Sequence, residues 1–523
     1  MSEDCLTLNV WTPAATSTAR LPVMVFIHGG SWMSGSGALE MYDGGTLSRK
    51  GVVVVTLNYR LGALGFLAHP DLTTESPHHS SGNYGFLDQA AALGWVKRNI
   101  GAFGGDPSRV TAFGESAGAN SMLAHLVSPG SKGLLQQAIV ESGPLWSDGG
   151  TIAVFLPRAW AEQDGVGFAA SLGVSGPDTI RGLRATSVAD LLAASPSDQG
   201  SAFWFMHALR FKPITDGWVI PEDPRILFRR GVATIPLLIG TNADEGTTLA
   251  VNAEMSVADY PQFVRDTFGP KAGQVLARYP ASTPEEVQHQ MERMMTDIDF
   301  AAAAKFVAGS SPDSWLYRFS YVTPGFGLGA FHGSELLYIF RSGLMPSDPT
   351  STGVSDTMMD LWTRFARTGD PNGGIGVTWP RYETSADRYL DIGASPTVKS
   401  GYGPTPTACK ADAKTMCLGP DGRFKVQATY GDYAGNRGDG KARKLSNASG
   451  YFSFYDPENI ELVVKFLGFC SGGSGDWAFY ASGLTDLEFT LDVTDTRTGI
   501  HREYLNPLGS RFCTAVDESF PCP

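Results

Sequence analysis

The 523-residue chain carries 53 acidic against 40 basic side chains, a net charge of −13, which argues against nucleic acid or an anionic membrane surface as a partner. Hydrophobic residues make up 42% and charged residues 18%, the balance of a globular protein with ample core, and no apolar run approaches the ~18 residues of a membrane-spanning helix. The length exceeds one average domain, so a large domain followed by a small one is the economical expectation.

In chain order, strands are expected at Leu6 to Trp11, Val23 to Ile27, Val52 to Leu57, Val110 to Phe113, Gln137 to Val140, Pro236 to Ile239, Trp315 to Phe319 and Tyr389 to Ile392. The runs at 52–57 and 236–239 are continuously apolar, as strands covered on both faces are. Helical patterns such as Gln89 to Ile100 lie between them. The pattern predicts an α/β fold for residues 1–400, a mostly parallel mixed sheet flanked by helices. Segments 157–210 and 256–309, richer in helix formers, interrupt the strand series and are expected to wall a pocket. Near residue 400 a Pro/Gly-rich linker intervenes. Short alternating runs at 423–429, 451–455, 461–467, 477–480, 487–494 and 500–504 then predict an antiparallel β sandwich over 405–523.

The most informative stretch is Gly114-Glu115-Ser116-Ala117-Gly118. It matches G-x-S-x-G, the turn that lifts a nucleophilic serine between a strand and a helix, and it sits between an expected strand and an expected helix. Upstream, His28-Gly29-Gly30-Ser31-Trp32 closes a strand with a glycine-rich turn able to offer N–H groups to an oxyanion. Downstream come Asp244-Glu245-Gly246 at a strand end and His332 after a glycine-rich loop. The order serine, acid, histidine is that of the α/β-hydrolases. Asp244 competes with Glu245 for the acid role. His28 and His125 are expected to be structural, and Glu115 with Arg109 to form a polar network beneath the serine turn.

Taken with Ser2-Glu-Asp-Cys-Leu-Thr-Leu-Asn-Val10, Asn58-Tyr-Arg60, Gly82-Asn-Tyr-Gly-Phe-Leu-Asp-Gln89 and Phe103-Gly-Gly-Asp-Pro107, these motifs resemble the type-B carboxylesterases, an α/β-hydrolase family that includes the cholinesterases. The resemblance covers roughly residues 1–395. It implies Ser116 as nucleophile, Glu245 as acid and His332 as base. It places the oxyanion hole at Gly29, Gly30, Ser31 and Ala117, and implies hydrolysis of a small-molecule ester without metal or cofactor. Short- to medium-chain or aromatic esters are the expected substrates; lipids and polyesters remain open, as does a non-catalytic binding protein of the same fold. Trp32, Phe203, Phe205 and Phe331 are expected to line the pocket. A histidine base implies that activity falls as pH drops through roughly 6 to 7.

Two departures from the family pattern stand out. Ser31 replaces a third glycine, so the oxyanion loop requires that serine to take a glycine-like conformation. The chain also opens at the Ser-Glu-Asp-Cys motif, so that either Met1 follows a truncation or this variant has shed the leading strands; the segment that in relatives holds the aromatic receiver of choline is in that part, which disfavours a quaternary-ammonium substrate. The matching cysteine of relatives pairs upstream, so Cys5 is expected to be a free thiol. The other five cysteines all lie at position 409 or beyond, a density expected of a disulfide-stapled domain in a secreted or periplasmic protein. Their pairing is open. The C-terminal domain is expected either to stabilise the enzyme or to bind a polymer or cell surface.

Overall fold

A run such as Val53-Val-Val-Thr-Leu57 satisfies its backbone and buries every side chain only inside a sheet covered on both faces, and all five of its residues are buried one place in from the edge of a nine-stranded sheet. The computed structural model describes residues 3–143, 154–195, 210–250, 255–374, 376–403, 409, 411–419, 422–468, 476–496, 501–512 and 514–521. They form two compact units, one of Met1–Thr384 with Arg388–Lys399 and the other of Ser385–Asp387 with Ser400–Pro523.

The strands of the first unit are β1 (Leu8–Trp11), β2 (Leu21–Ile27), β3 (Val53–Leu57), β4 (Gly105–Glu115), β5 (Gln137–Glu141), the two-residue pair β6 (Leu156–Pro157) and β7 (Ile214–Thr215), then β8 (Leu237–Asn242), β9 (Ser314–Phe319), β10 (Arg388–Ile392) and β11 (Pro396–Ser400). The main sheet runs β1-β3-β2-β4-β5-β8-β9-β10-β11. β1 is antiparallel to β3, and β3, β2, β4, β5, β8, β9 and β10 pair in parallel. This is the α/β-hydrolase arrangement, and it contains every strand expected from the sequence. β11 went unread because Pro396-Thr-Val-Lys-Ser400 is an exposed edge with little apolar signal.

Aromatic side chains seal the sheet. Phe26 of β2 meets Phe113 of β4 and Phe340 at ring separations of 5.0 Å each. Helix Pro349–Thr368 lays Trp362 and Phe365 on Tyr317 and Trp315 of β9, at 5.2 and 5.9 Å. Each such buried side chain contributes about 1.5–3 kcal/mol of hydrophobic free energy. That helix starts at Asp348, whose carboxylate accepts the N–H groups of Thr350 and Ser351, with Pro349 in the first turn, and it stops at Gly369, φ 74°. An acceptor at the start, a proline just inside and a left-handed glycine at the end are the local signals that fix both ends. The segment 157–210 gives helices Arg158–Ser171, Thr179–Ala185 and Val188–Ala193; the segment 256–309 gives Tyr260–Phe268, Ala272–Arg278, Pro284–Met294, a π-helical turn Met295–Ala301 and Ala302–Gly309.

The second unit is a pair of antiparallel sheets. One joins β12 (Thr415–Leu418), β13 (Phe424–Gly431), β14 (Arg437–Asp439), β19 (Glu488–Asp495) and β20 (His501–Asn506). The other joins β15 (Lys441–Lys444), β16 (Ser449–Ser453), β17 (Leu462–Gly468), β18 (Asp476–Gly483) and β21 (Ala515–Pro521). Alternate residues of β13, β17 and β19 are buried between the sheets, where Phe424 stacks on Phe466 at 3.8 Å. Arg423 and Asp495 form a fully buried ion pair, Nε to Oδ1 2.8 Å. The six expected strands are present, and β12, β14, β15 and β21 are additional. Cys409 and Cys417 form a disulfide, and Cys5 is a free thiol; Cys470, Cys513 and Cys522 lie outside the described residues. Among the described residues no helix is long and apolar enough to cross a membrane.

Candidate active site

β4 ends at Glu115, helix Ala117–Val127 begins two residues later, and Ser116 makes the whole turn at φ 58°, ψ −122°. For a residue with a side chain that region costs about 1–3 kcal/mol. Neighbouring strands hold it in place: the Ser116 N–H donates to the Glu141 carbonyl of β5 at 2.9 Å. The glycines are there for close approach. A Cβ on Gly118 would strike the Ile27 carbonyl oxygen of β2, and one on Gly114 would lie 2.7 Å from the same oxygen.

The loop after β2 takes three consecutive left-handed residues, Gly30 (φ 101°), Ser31 (56°) and Trp32 (59°). Ser31 thus adopts the glycine-like conformation its position demands. A Cβ on Gly29 would stand 3.0 Å from the Ser116 Cβ, so the loop runs directly against the serine. The N–H groups of Gly30, Ser31 and Ala117 donate no hydrogen bond among the described residues. His28 braces the loop: its Nδ1 donates to the Gly29 carbonyl at 2.8 Å, its ring stacks on Tyr59 at 4.5 Å, and burial lowers its pKa, keeping it neutral. Trp32 is fully buried against Phe66, which leaves it no accessible surface to offer a ligand. Phe331 is half-buried, its ring 5.3 Å from Phe326. Phe203 and Phe205 lie outside the described residues.

Glu245 follows β8 and is fully buried. Its Oε1 accepts the Asn242 N–H at 2.6 Å and its Oε2 lies 2.6 Å from His332 Nδ1. Asp244 does different work. Its Oδ2 accepts the Ala330 N–H at 2.8 Å and its own N–H donates to the Ala330 carbonyl at 3.0 Å, clipping the loop that carries His332 to the end of β8. His125, bonded to Ser131 and Gln89 inside the core, is held neutral by burial, which lowers its pKa to about 4.

Sequence reasoning misplaced Glu115. Arg109 pairs with Asp106 at 3.2 Å, whereas the Glu115 carboxylate lies 3.1 Å from His332 Nε2. A Cβ on Gly29 would lie 2.8 Å from Glu115 Oε2 and 3.0 Å from the Ser116 Cβ, so the carboxylate that meets Nε2 and the serine face the same point of the oxyanion loop. Behind it, Glu141 accepts from Trp362 Nε1 at 2.5 Å and Glu335 accepts from Asn242. Burial pushes Glu115 up to about 7, with His332 opposing and Glu245 adding to it, and Glu335 to about 8, helped by Glu115 and Glu245; it raises Glu141 well above the carboxylate range. Burial would lower His332, but Glu115 and Glu245 outweigh it and bring the imidazole up to about 9. No local sequence signal could reveal this cluster, because its members come from the ends of three different strands and a loop.

Two expectations follow. A base must be unprotonated, so kcat/KM should rise with pH through a half-point above the ordinary histidine value of ~6.5, higher than the sequence alone suggests. Glu115→Gln should move that limb to lower pH. An unmoved limb in a pH profile would remove Glu115 from the account. Glu141 has a folded pKa above its unfolded one, so its contribution to stability is present in acid and lost as pH rises. Glu141→Gln, which cannot ionise and keeps an oxygen for Trp362, should therefore gain thermal stability relative to wild type between about pH 5 and about pH 9. Melting curves at the two pH values check the trend.

Comparison with known proteins agrees with the geometry. The Carboxylesterase family model matches residues 1–409. The fumonisin B1 esterase of Sphingopyxis macrogoltabida is 37% identical over 430 residues, covering 78% of this chain and 76% of that protein. The para-nitrobenzyl esterase of Bacillus subtilis (strain 168) is 36% identical over 420 residues, 76% of this chain and 81% of its own. A solved PNB esterase structure superposes with a TM-score of 0.65 at 36% identity, over 76% of this chain and 83% of that one.

Proposed function

The chain belongs to the carboxylesterase family and is a carboxylic-ester hydrolase, and we propose that Ser116, Glu245 and His332 are the residues with which it cleaves its substrates. The observation that carries the assignment is the 2.6 Å contact of His332 Nδ1 with a buried Glu245, itself oriented by the Asn242 N–H, next to a serine in a strained turn. That contact makes Nδ1 the protonated nitrogen and leaves Nε2 to take the Ser116 proton as Oγ attacks the ester carbonyl. Glu245 then stabilises the imidazolium. The N–H groups of Gly30, Ser31 and Ala117 receive the oxyanion. His332 returns the proton to the departing alcohol, and water activated by the same nitrogen releases the acid from Ser116. Glu245→Gln should cost less than loss of the serine, because the acid acts through the base. A kinetic comparison in which Asp244→Asn proves more damaging than Glu245→Gln would reassign the acid.

Short- to medium-chain and aromatic esters are the proposed substrates, in keeping with relatives named for para-nitrobenzyl esters, fumonisin B1 and cocaine. A lipid reading has one observation in its favour: Val322, Phe326 and Leu328, on the loop leading to His332, are exposed. A chain-length series of p-nitrophenyl esters decides between them. Preference rising past about eight carbons supports the lipid.

We also propose that residues 405–523 form an accessory β domain of an exported enzyme that engages a polymer or cell surface. Its disulfide supports export. The outward rows of β15, β16, β17 and β18 support surface binding: they carry Lys441, Arg443 and Lys465 with Tyr451 and Tyr480, an aromatic and cationic face on an acidic protein. Truncation near Thr405 should leave kcat on p-nitrophenyl butyrate within about threefold, since it removes no group assigned to the transition state. A collapse of kcat in a truncated protein that keeps its circular dichroism would bring the domain into the site.

A further inference from the structure

The π-helical turn Met295–Ala301 carries two buried acids in contrasting settings. Asp297 is satisfied: it accepts from the Tyr279 hydroxyl at 2.9 Å, and the charges of Arg278, Arg293 and Arg318 act on it. Asp299 is 5% exposed and has no hydrogen-bond or ion-pair partner among the described residues. Burial alone pushes its carboxyl up to about 8. The turn that follows, Ala301 to Ala304, has no polar side chain to offer it. Buried polar groups in folded proteins are almost always paired, and an unpaired one calls for a reason outside the fold's own economy.

The position of the turn supplies one. Thr296 accepts the N–H of Gly246, the residue after Glu245, at 3.0 Å, and the Phe300 ring lies 5.2 Å from that of His332. Asp299 lies between Thr296 and Phe300 in the chain, on a turn that touches the residue after the acid and the ring of the base. π turns inside longer helices recur at functional sites, because the extra residue re-aims side chains that a regular helix would bury elsewhere. Nothing in the proton transfers between Ser116 and His332, with Glu245 stabilising the imidazolium, uses this carboxyl.

We propose that Asp299, the neighbour in the chain of Phe300, forms a polar subsite in the wall of the active site, and that it selects esters bearing a hydrogen-bond donor, a hydroxyl or a protonated amine, on the portion bound there. The proposal rests on the assignment of Ser116 and His332 to the active site. A carboxyl otherwise unpaired discriminates strongly, because the apolar analogue leaves it buried and unsatisfied while the matching donor satisfies it.

The test uses two matched ester series, one varying the alcohol and one the acyl chain. Isohexyl, hydroxypentyl and dimethylaminopropyl butanoates form the first; methyl esters of the corresponding apolar, hydroxylated and dimethylamino acids form the second. The readout is the ratio of kcat/KM for each polar member to its apolar partner, in wild type, Asp299→Leu and Asp299→Asn. In at least one series wild type should favour a polar member, and Asp299→Leu should lower that ratio by about tenfold or more. Asp299→Asn keeps an acceptor and loses the charge, so it should retain a hydroxyl preference and lose an amine preference, which separates the two donors. If Asp299→Leu does not fold, the near-isosteric Asn variant carries the test through its amine ratio and its pH dependence. Equal changes for all members of both series, or none, overturn the proposal. Failure of the active-site assignment looks different: Ser116→Ala would then keep its activity on p-nitrophenyl butyrate.

Discussion

Ser116→Ala should abolish ester hydrolysis, with kcat on p-nitrophenyl butyrate falling by about 10⁴ to 10⁶. The size of the effect comes from how the residues act together. In the proposed mechanism the histidine, the acid and the oxyanion donors all serve attack by one oxygen, and without it no acyl-enzyme can form. Residual catalysis through the N–H groups of Gly30, Ser31 and Ala117 would still polarise a bound carbonyl toward water, which is why the expected loss is finite. The variant should keep its fold, since alanine takes the Ser116 position without disturbing the backbone bonds to Glu141 and Asn120 that hold the turn. Activity above about a tenth of wild type in pure protein, with contamination excluded by active-site titration, would mean that the nucleophile lies elsewhere.

What the sequence revealed and what it hid divide along a physical line. The strands of the main sheet were legible because parallel strands covered on both faces are mostly apolar, as the fully buried Val53–Leu57 and the Leu-Leu-Ile start of Leu237–Asn242 are. The serine turn, the oxyanion loop and the Asp244-Glu245-Gly246 and His332 stretches were legible because backbone geometry confines them to glycine-rich motifs. Glu115 was misread for the opposite reason. Its partner His332 stands more than 200 positions away, on a loop whose path is set by Asp244 clipping Ala330, and a local motif carries no such information. In the second unit the alternating runs of β13, β17 and β19 were readable, but Arg437–Asp439 and Lys441–Lys444 were not. They are short, polar and mostly exposed, paired through backbone rather than packed through side chains. Asp299 was overlooked because an acid in a helical segment is ordinary until its burial is known.

The second large effect should come from Gly118→Ala, a one-carbon change outside the reacting groups. The helix after Ser116 approaches β2 so closely that the added Cβ falls onto the Ile27 carbonyl oxygen, with the Ile27 carbonyl carbon 2.8 Å away and the His28 carbonyl carbon 3.0 Å away. These are main-chain atoms of a central strand, so no rotamer change relieves the overlap. Either the helix lifts off the sheet or the strand bends. Overpacking of this kind costs about 1–3 kcal/mol when side chains can adjust, and more is expected here because backbone must move. The displacement also reaches the chemistry from both sides, since Ile27 leads into the Gly29–Ser31 loop and Gly118 follows Ser116 and Ala117. A shift of roughly 1 Å between nucleophile and oxyanion donors is enough to cost about 100-fold. Gly118→Ala should therefore lower the melting temperature by several degrees and kcat by about two orders of magnitude or more, with KM changed far less. Wild-type kcat in a variant of unchanged melting temperature would show that helix and strand do not meet as closely as this, and the strained serine turn would then need another support.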